Sequence, residues 1–341
     1  MTNTRTFTVH SPDDLLAAVP CILGFHPDDS LVLMTTAGGD DHFHARVDLP
    51  EDDLDTLELV DHLTGVARRN GVQRVALVAY TDDQCLAEDL VTRLDAGLAA
   101  DGVAVVLAIR ADGERWYAAT DRLEPCCPPE GSPYDVGSHP FTAQSVLDGQ
   151  VTLRNRQELA DSLVGTDTDE FDAVGEAADR AMDRFYASTR QTDDPAAPDP
   201  VRSHLVAEGR WVRERVCSFL ADGRPLNHVE AGRMLVALVA IDVRDVAWAE
   251  MTRSNAATHV ALWRDLVRRA PHDLLAAPAA LLGFAAWLAG DGALAWCAVE
   301  RCQAAEPDYR LAALLTEALL GAVPPSRWQP VPRNMLPLFT G

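Results

Sequence analysis

The fold follows from two apolar runs, Arg74-Val-Ala-Leu-Val-Ala-Tyr80 and Val103-Ala-Val-Val-Leu-Ala-Ile109. Each apolar run is nearly continuous, which predicts a strand that is covered on both faces of a sheet. The segment between them, from Asp83 to Ala100, has the apolar spacing of a helix. Strand, helix and strand in this order predict a βαβ unit whose two strands are parallel neighbours at the sheet centre.

Further elements extend this unit to a mixed α/β domain. Ser11 is the predicted N-cap of a short apolar helix that ends at Pro20, with Pro12 at its first position. Gly38-Gly39-Asp40-Asp41 predicts a hairpin between two strands. A helix is predicted over Leu54–Asn70. The remaining predicted strands are Thr6–His10, Leu31–Thr36, Phe43–Leu49 and Arg115–Ala118, and residues 125–140 are predicted to be irregular.

From Phe171 onward the pattern is wholly helical, and the Pro/Asp-rich residues 191–200 predict a linker inside this region. The predicted helices are Phe171–Thr189, Val201–Ala221, Asn227–Ile241, Val243–Met251, Ala256–Arg269, Ala277–Ala289, Gly292–Glu306 and Tyr309–Leu320. Gly283, Gly290, Ala295 and Pro307 have the spacing of a tetratricopeptide repeat, and a generic helical hairpin explains them equally well. The predicted fold is therefore an α/β domain over residues 1–165, followed by an all-α domain with tetratricopeptide-like hairpins over residues 166–341.

Composition excludes some classes of function. The formal net charge is −23, which disfavours a general affinity for nucleic acid. The chain has no lysine, so neither a Schiff-base lysine nor a P-loop lysine is possible. No apolar run approaches the roughly 18 residues that span a bilayer, and no apolar segment follows the N-terminus. Seven cysteines, an odd number, indicate reduced thiols. We therefore expect a cytoplasmic protein that binds no membrane.

Three segments carry a resemblance to a known family. Gly24-Phe25-His26-Pro27 follows the first apolar helix and leads through Asp28-Asp29-Ser30 into a strand. Together with Cys126-Cys127-Pro128-Pro129 and Asp242-Val-Arg-Asp-Val-Ala-Trp248, this segment resembles the actinobacterial domain of unknown function 4192 family. The resemblance extends from Thr6 to Trp328 and implies that the turn at His26 is characteristic. It implies no chemistry, because that family has no established activity.

The turn at His26 is the first candidate site. An imidazole near the carboxylates of Asp28 and Asp29 and the hydroxyl of Ser30 can form an acid/base site. The alternative is an ordinary turn, since Pro, Asp and Ser are preferred turn residues. For a ligand, we expect Gly24, Phe25 and His26 to provide the contacts.

The adjacent Cys126 and Cys127 are the second candidate. Such thiols are redox-active or nucleophilic where a neighbour lowers a pKa, and otherwise they are buried in a rigid Pro-Pro loop. The cysteines lack zinc-ligand spacing. His42 and His44 share one face of a strand, which suits either a metal or a solvated strand end. We predict neither a metal nor a cofactor.

Trp263 and Trp287 are the candidate partner-binding residues, because tryptophans concentrate in the helical half, where they line a groove or fill the core. We interpret the chain as a non-enzymatic protein that binds a small molecule or a protein partner and has a helical interaction domain. The alternative is an enzyme, a hydrolase or transferase, that uses His26 and the nearby carboxylates, with a thiol of Cys126 or Cys127.

Overall fold

The computed structural model describes residues 7–36, 44–120, 127–190 and 199–339. The chain forms two compact units. Leu320–Ser326 belong with the residues up to Glu158 in an α/β unit, and Leu159–Leu319 with the residues from Arg327 onward form a helical unit. Asn70 fixes the returning segment, because its side-chain amide donates to the carbonyl of Gly321 at 3.3 Å.

A six-stranded mixed sheet forms the centre of the α/β unit. Its strands are β1 (Ser30–Thr35), β2 (His44–Asp48), β3 (Arg74–Tyr80), β4 (Ala104–Ala111), β5 (Arg115–Ala118) and β6 (Ser132–Pro133), in the spatial order β2-β1-β3-β4-β5-β6. Only β3 and β4 pair in parallel among the described strands, and they occupy the two central positions. The predicted βαβ strands and the antiparallel pairing of β1 with β2 are thereby confirmed.

The helices of this unit are α1 (Pro12–Leu23), α2 (Asp53–Arg69), α3 (Gln84–Ala100), α4 (Pro140–Leu147) and α5 (Arg156–Asp161), the last of which contains the boundary between the units. One face of the sheet forms a core with α2 and α3, in which Leu77 and Leu94 are fully buried. Val32 and Val78 point to the opposite face and are fully buried as well. The sheet is therefore covered on both sides at β1 and β3.

The first helix begins as predicted and ends later. Ser11 and Asp14 form a reciprocal capping box with Pro12 at the first position. The prediction that the helix ends at Pro20 is wrong, because a proline removes only one backbone donor near the end of a helix. The helix continues to Leu23, and Gly24 ends it by adopting a left-handed φ of 77°.

The predicted strand over Thr6–His10 is also wrong, since residues 7–10 have no regular structure. The carboxylate of Asp14 accepts from the backbone nitrogens of His10 at 2.8 Å and Ser11 at 3.1 Å. These donors therefore cap α1 rather than extend a ladder.

Only the second half of strand β4 is buried on both faces. Val75 of β3 is fully buried, whereas Val106 of β4 is 40% exposed. The register shifts between Val75 and Ala76, which face Val105 and Leu107, so Val106 is the unpaired residue of a bulge. A bulged residue leaves the regular alternation of faces. The expectation of full coverage is thus wrong for the first half of β4.

The helical unit consists of helices that agree closely with the sequence pattern. They are α6 (Thr168–Ser188), α7 (Pro200–Asp222), α8 (His228–Ala237), α9 (Ile241–Ala249), α10 (Ala256–Arg269), α11 (Ala276–Ala289), α12 (Gly292–Ala305) and α13 (Arg310–Leu320), with short 3₁₀ helices at His272–Leu274, Pro325–Arg327 and Arg333–Met335. The predicted helix over Asn227–Ile241 is too long, because Val239 and Ala240 form the turn between α8 and α9. The hairpin residues 38–41 and most of the linker, residues 191–198, lie outside the described residues.

None of the described helices is long and apolar enough to cross a bilayer.

Helices α11 and α12 form a tight hairpin around small residues. Gly290 ends α11 with a φ of 84°, and the Asp291 side chain accepts from the backbone nitrogen of Leu294 to begin α12. A Cβ at Gly283 would lie 3.3 Å from the carbonyl oxygen of Ala295 and 2.9 Å from Leu315 of α13. The three helices therefore approach one another at Gly283.

We expect Ala295→Trp to lower the free energy of unfolding by about 1–3 kcal/mol, because Ala295 is fully buried at this contact and the larger ring overpacks it. Gly292→Ala is the control, since an added Cβ there meets no atom within 4 Å. Urea unfolding of both variants measures the difference. Wild-type stability of Ala295→Trp would show that the two helices are splayed.

His259 of α10 is fully buried beside Trp263, with the two rings stacked at 6.3 Å. Neither ring nitrogen makes a hydrogen bond of normal geometry in the described part of the chain. Burial lowers the pKa of His259 to about 4, against a smaller opposing effect of Glu250. The imidazole is therefore neutral in the folded protein at neutral pH.

This burial predicts a pH-dependent stability. An unfolded histidine has a pKa of about 6.5, so the stability is intact above that pH and falls as the pH decreases toward about 4. The loss attributable to His259 is about 3 kcal/mol. Urea unfolding at several pH values measures the free energy of unfolding of each protein. Between pH 6.5 and 4 this free energy should fall less in His259→Phe than in the wild type, and as much as in the wild type in the exposed His272→Gln. Equal slopes in all three proteins would contradict the burial of a neutral imidazole.

Candidate functional site

The turn at His26 immediately precedes β1, at the end of the sheet where β3 and β4 terminate. Backbone hydrogen bonds hold it: the nitrogen of His26 donates to Leu153 at 3.0 Å, and the nitrogen of Leu153 donates to Gly24 at 2.8 Å. Phe25 is buried, whereas the side chains of His26, Asp28 and Asp29 are exposed. Partial burial of the ring lowers the pKa of His26.

Local hydrogen bonds stabilise the Asp28-Asp29 part of the turn. Asp28 accepts from the backbone nitrogen of Asp29 at 3.1 Å. Asp29 has a positive φ of 41°, a conformation that Asp tolerates better than most residues. The carbonyl of Asp29 accepts from the nitrogen of Leu49 at 3.2 Å, which ties the turn to the end of β2.

Three residues with buried polar atoms lie on one line of paired residues across the strands at this end of the sheet. Ser30 of β1 pairs with Tyr80 of β3, Tyr80 pairs with Ala111 of β4, and Ala111 pairs with Trp116 of β5. Ser30 Oγ, Tyr80 Oη and Trp116 Nε1 have no hydrogen-bond partner among the described residues. Burial raises the pKa of Tyr80 well above its ordinary value, so the phenol stays protonated.

Of the two candidate cysteines, the structure describes only Cys127. Cys127 is buried, and its Sγ lies 3.7 Å from the carbonyl oxygen of Pro128. Cys126 and His42 lie outside the described residues. Across residues 7–36, 44–120, 127–190 and 199–339, no group of three or more His, Cys, Asp or Glu side chains is arranged to hold a metal ion.

The two tryptophans predicted to bind a partner are buried. Trp263 is fully buried on α10. Trp287 packs on Phe284 of the same helix with ring centroids 5.4 Å apart, and Phe284 also contacts Trp248 and Trp328. These rings join the chain after residue 327 to the helices.

A cavity of about 260 Å³ lies elsewhere in the helical unit, between α6, α7 and α8. Its walls are mainly aliphatic and aromatic, and four charged or polar side chains interrupt them. The lining residues are Ala181, Met182, Arg184 and Phe185 of α6, Val201, His204, Leu205 and Glu208 of α7, and Arg233, Val236, Ala237, Val239 and Ala240 in and after α8.

A close backbone contact sets the position of this cavity. A Cβ at Gly232 of α8 would lie 2.5 Å from the backbone nitrogen of Ala178 and 2.7 Å from the carbonyl carbon of Ala177, both in α6. Only glycine permits this approach. One turn farther along each helix, Ala181 and Val236 line the cavity.

Most of the polar lining is held by internal partners. Arg233 donates two hydrogen bonds to Glu208, from Nε at 3.0 Å and from Nη2 at 2.8 Å, and its guanidinium lies 4.1 Å from the centre of the Trp211 ring. The Nδ1 of His204 lies 2.7 Å from Ser188 Oγ. The Trp211 ring, the His204 imidazole and the ion pair of Arg233 with Glu208 are therefore held in place without a ligand.

Sequence reasoning missed every residue of this cavity. Two signals were present: a glycine inside the helical pattern at Gly232, which usually has a packing reason, and the His204/Glu208 pair at a spacing of four. Neither identifies a cavity without the packing of the three helices.

The matching family model is described as domain of unknown function (DUF4192), and it covers residues 12–326. The chain belongs to the DUF4192 family. The match includes the turn at His26 and all three helices of the cavity, so both arrangements lie within the family's domain. No curated protein and no solved structure matches the chain.

We expect Gly232→Ala to lower the free energy of unfolding by about 1–3 kcal/mol, because the methyl group collides with the backbone of α6. Gly175→Ala is the matched control in α6: an added Cβ meets nothing within 4 Å, and alanine favours a helix over glycine by about 1 kcal/mol. Chemical unfolding of both variants measures the two shifts. A stabilised Gly232→Ala variant would contradict the close contact of α6 with α8.

Proposed function

We propose that this DUF4192 protein is a non-enzymatic ligand-binding protein of the cytoplasm, whose helical unit takes up a small, largely apolar molecule. The observation that carries the proposal is the cavity between α6, α7 and α8, which combines apolar walls with a few fixed polar groups. This combination is typical of small-molecule sites, in which the apolar walls supply affinity and the polar groups supply orientation.

The size of the cavity limits the ligand. Sites for drug-sized molecules have volumes of roughly 300–1,000 Å³, and this cavity has about 260 Å³. A short aliphatic or aromatic compound suits the space. In this proposal the hairpin of α11 and α12, which we interpret as tetratricopeptide-like, supports the unit from outside the site.

The turn at His26 supports the enzymatic alternative less strongly. His26, Asp28 and Asp29 are exposed, and the carboxylate of Asp28 contacts the turn's own backbone. A catalytic acid or base needs a neighbour that fixes its orientation, and no side chain is seen to orient the His26 ring in the described residues. A ligand contact through Gly24, Phe25 and His26 stays a prediction.

Calorimetric titration with octanol tests the proposal. Octanol should bind the wild type. Val236→Phe should weaken this binding at least about tenfold, because Val236 lines the cavity and the larger ring would occupy part of its volume. Val229→Phe is the matched control, since it makes the same change on an exposed position of α8. Thermal melts establish that both variants fold.

Wild-type affinity in a folded Val236→Phe variant would place the binding outside the cavity. If neither octanol nor its charged analogues octanoate and octylamine bound the wild-type protein, this result would also contradict the proposal.

A further inference from the structure

The charges around the cavity do not cancel. Glu208 and Arg233 neutralise each other, because both carboxylate oxygens accept from the guanidinium. Arg184 is the remaining cation of the lining, and no ion pair or hydrogen bond engages it in the described part of the chain. Among the described lining residues, Arg184 is therefore the positive charge that has no ionic partner.

We infer that the ligand is an amphipathic monoanion, a small carboxylate with an aliphatic or aromatic body, whose carboxylate binds Arg184. This inference rests on the proposed function and names the chemical class of its ligand. The guanidinium is a planar fork that matches the two oxygens of a carboxylate.

The position of Arg184 fits this orientation. Arg184 lines the cavity and is exposed. A long cationic side chain commonly lays its aliphatic stem along apolar surface and keeps its charged end in water. A ligand with its apolar body inside and its carboxylate at the mouth would keep the anion partly hydrated. The costly burial of an unpaired charge is thereby avoided.

A cationic ligand has no comparable partner. Glu208 is the only acidic side chain among the described residues of the lining, and Arg233 already pairs with it. Arg233 is further fixed by the face of Trp211 at 4.1 Å. An amine would have to displace this arrangement and would also be repelled by Arg184. The chain as a whole has a net charge of −23, so a local cation is needed for anion binding at this site.

Three probes of equal chain length test the inference: octanoate, octanol and octylamine, each titrated into the full-length protein at neutral pH. Octanoate should bind about tenfold more tightly than octanol, and octylamine should bind more weakly than octanol. Raised salt should reduce the advantage of octanoate, because Arg184 is exposed.

Arg184→Gln should remove the advantage of octanoate and leave octanol binding unchanged. Arg180→Gln is the matched control one turn earlier in α6, where the arginine pairs with Glu176 at 3.3 Å and does not line the cavity. It should retain the preference.

Equal affinities of the wild type for octanoate and octanol would overturn the inference and leave the proposed function standing. Retention of the preference in Arg184→Gln would overturn it as well. If none of the three probes binds, the proposed function itself fails.

Discussion

The contact of α6 with α8 at Gly232 is the constraint on which the helical unit depends. The two helices touch through backbone atoms there, since a Cβ at residue 232 would lie only 2.5 Å from Ala178. Close-packed interiors do not absorb such a change without movement of a whole element. The separation of the two helices at this contact, together with α7, therefore sets the space that remains one turn farther on.

The polar groups of the cavity are ordered by one another. Arg233 satisfies Glu208 through two hydrogen bonds and lies on the ring of Trp211, so these side chains have little freedom to collapse into the apolar space. Such preorganisation reduces the entropy that a ligand must overcome on binding. Arg184 differs from them because no described residue pairs with it, and this difference is the basis of the proposed preference for an anion.

The sequence predicted those features that local patterns determine. Apolar runs identified β3 and β4 as parallel neighbours, and Ser11 with Pro12 identified the start of α1. The errors arose where a capping contact or a bulge overrides the regular pattern of a segment. Asp14 caps α1 with the donors of residues 10 and 11, and a bulge exposes Val106.

The candidate sites show the same division. The turn at His26 was visible as a motif, yet its backbone hydrogen bonds with Leu153 depend on a segment more than a hundred residues away. The cavity has no motif, because its lining comes from three helices and each contributes ordinary apolar residues. Sequence patterns predict which face of a helix is apolar, and they do not show where two such faces fail to meet.

A crystal structure determined under xenon pressure tests the central claim most directly, because xenon enters apolar cavities without requiring a particular polar group. We expect xenon density between α6, α7 and α8, adjacent to Ala181, Val236 and Ala237. A structure in which the side chains of Met182 and Phe185 fill this space, with xenon bound only elsewhere, would contradict it.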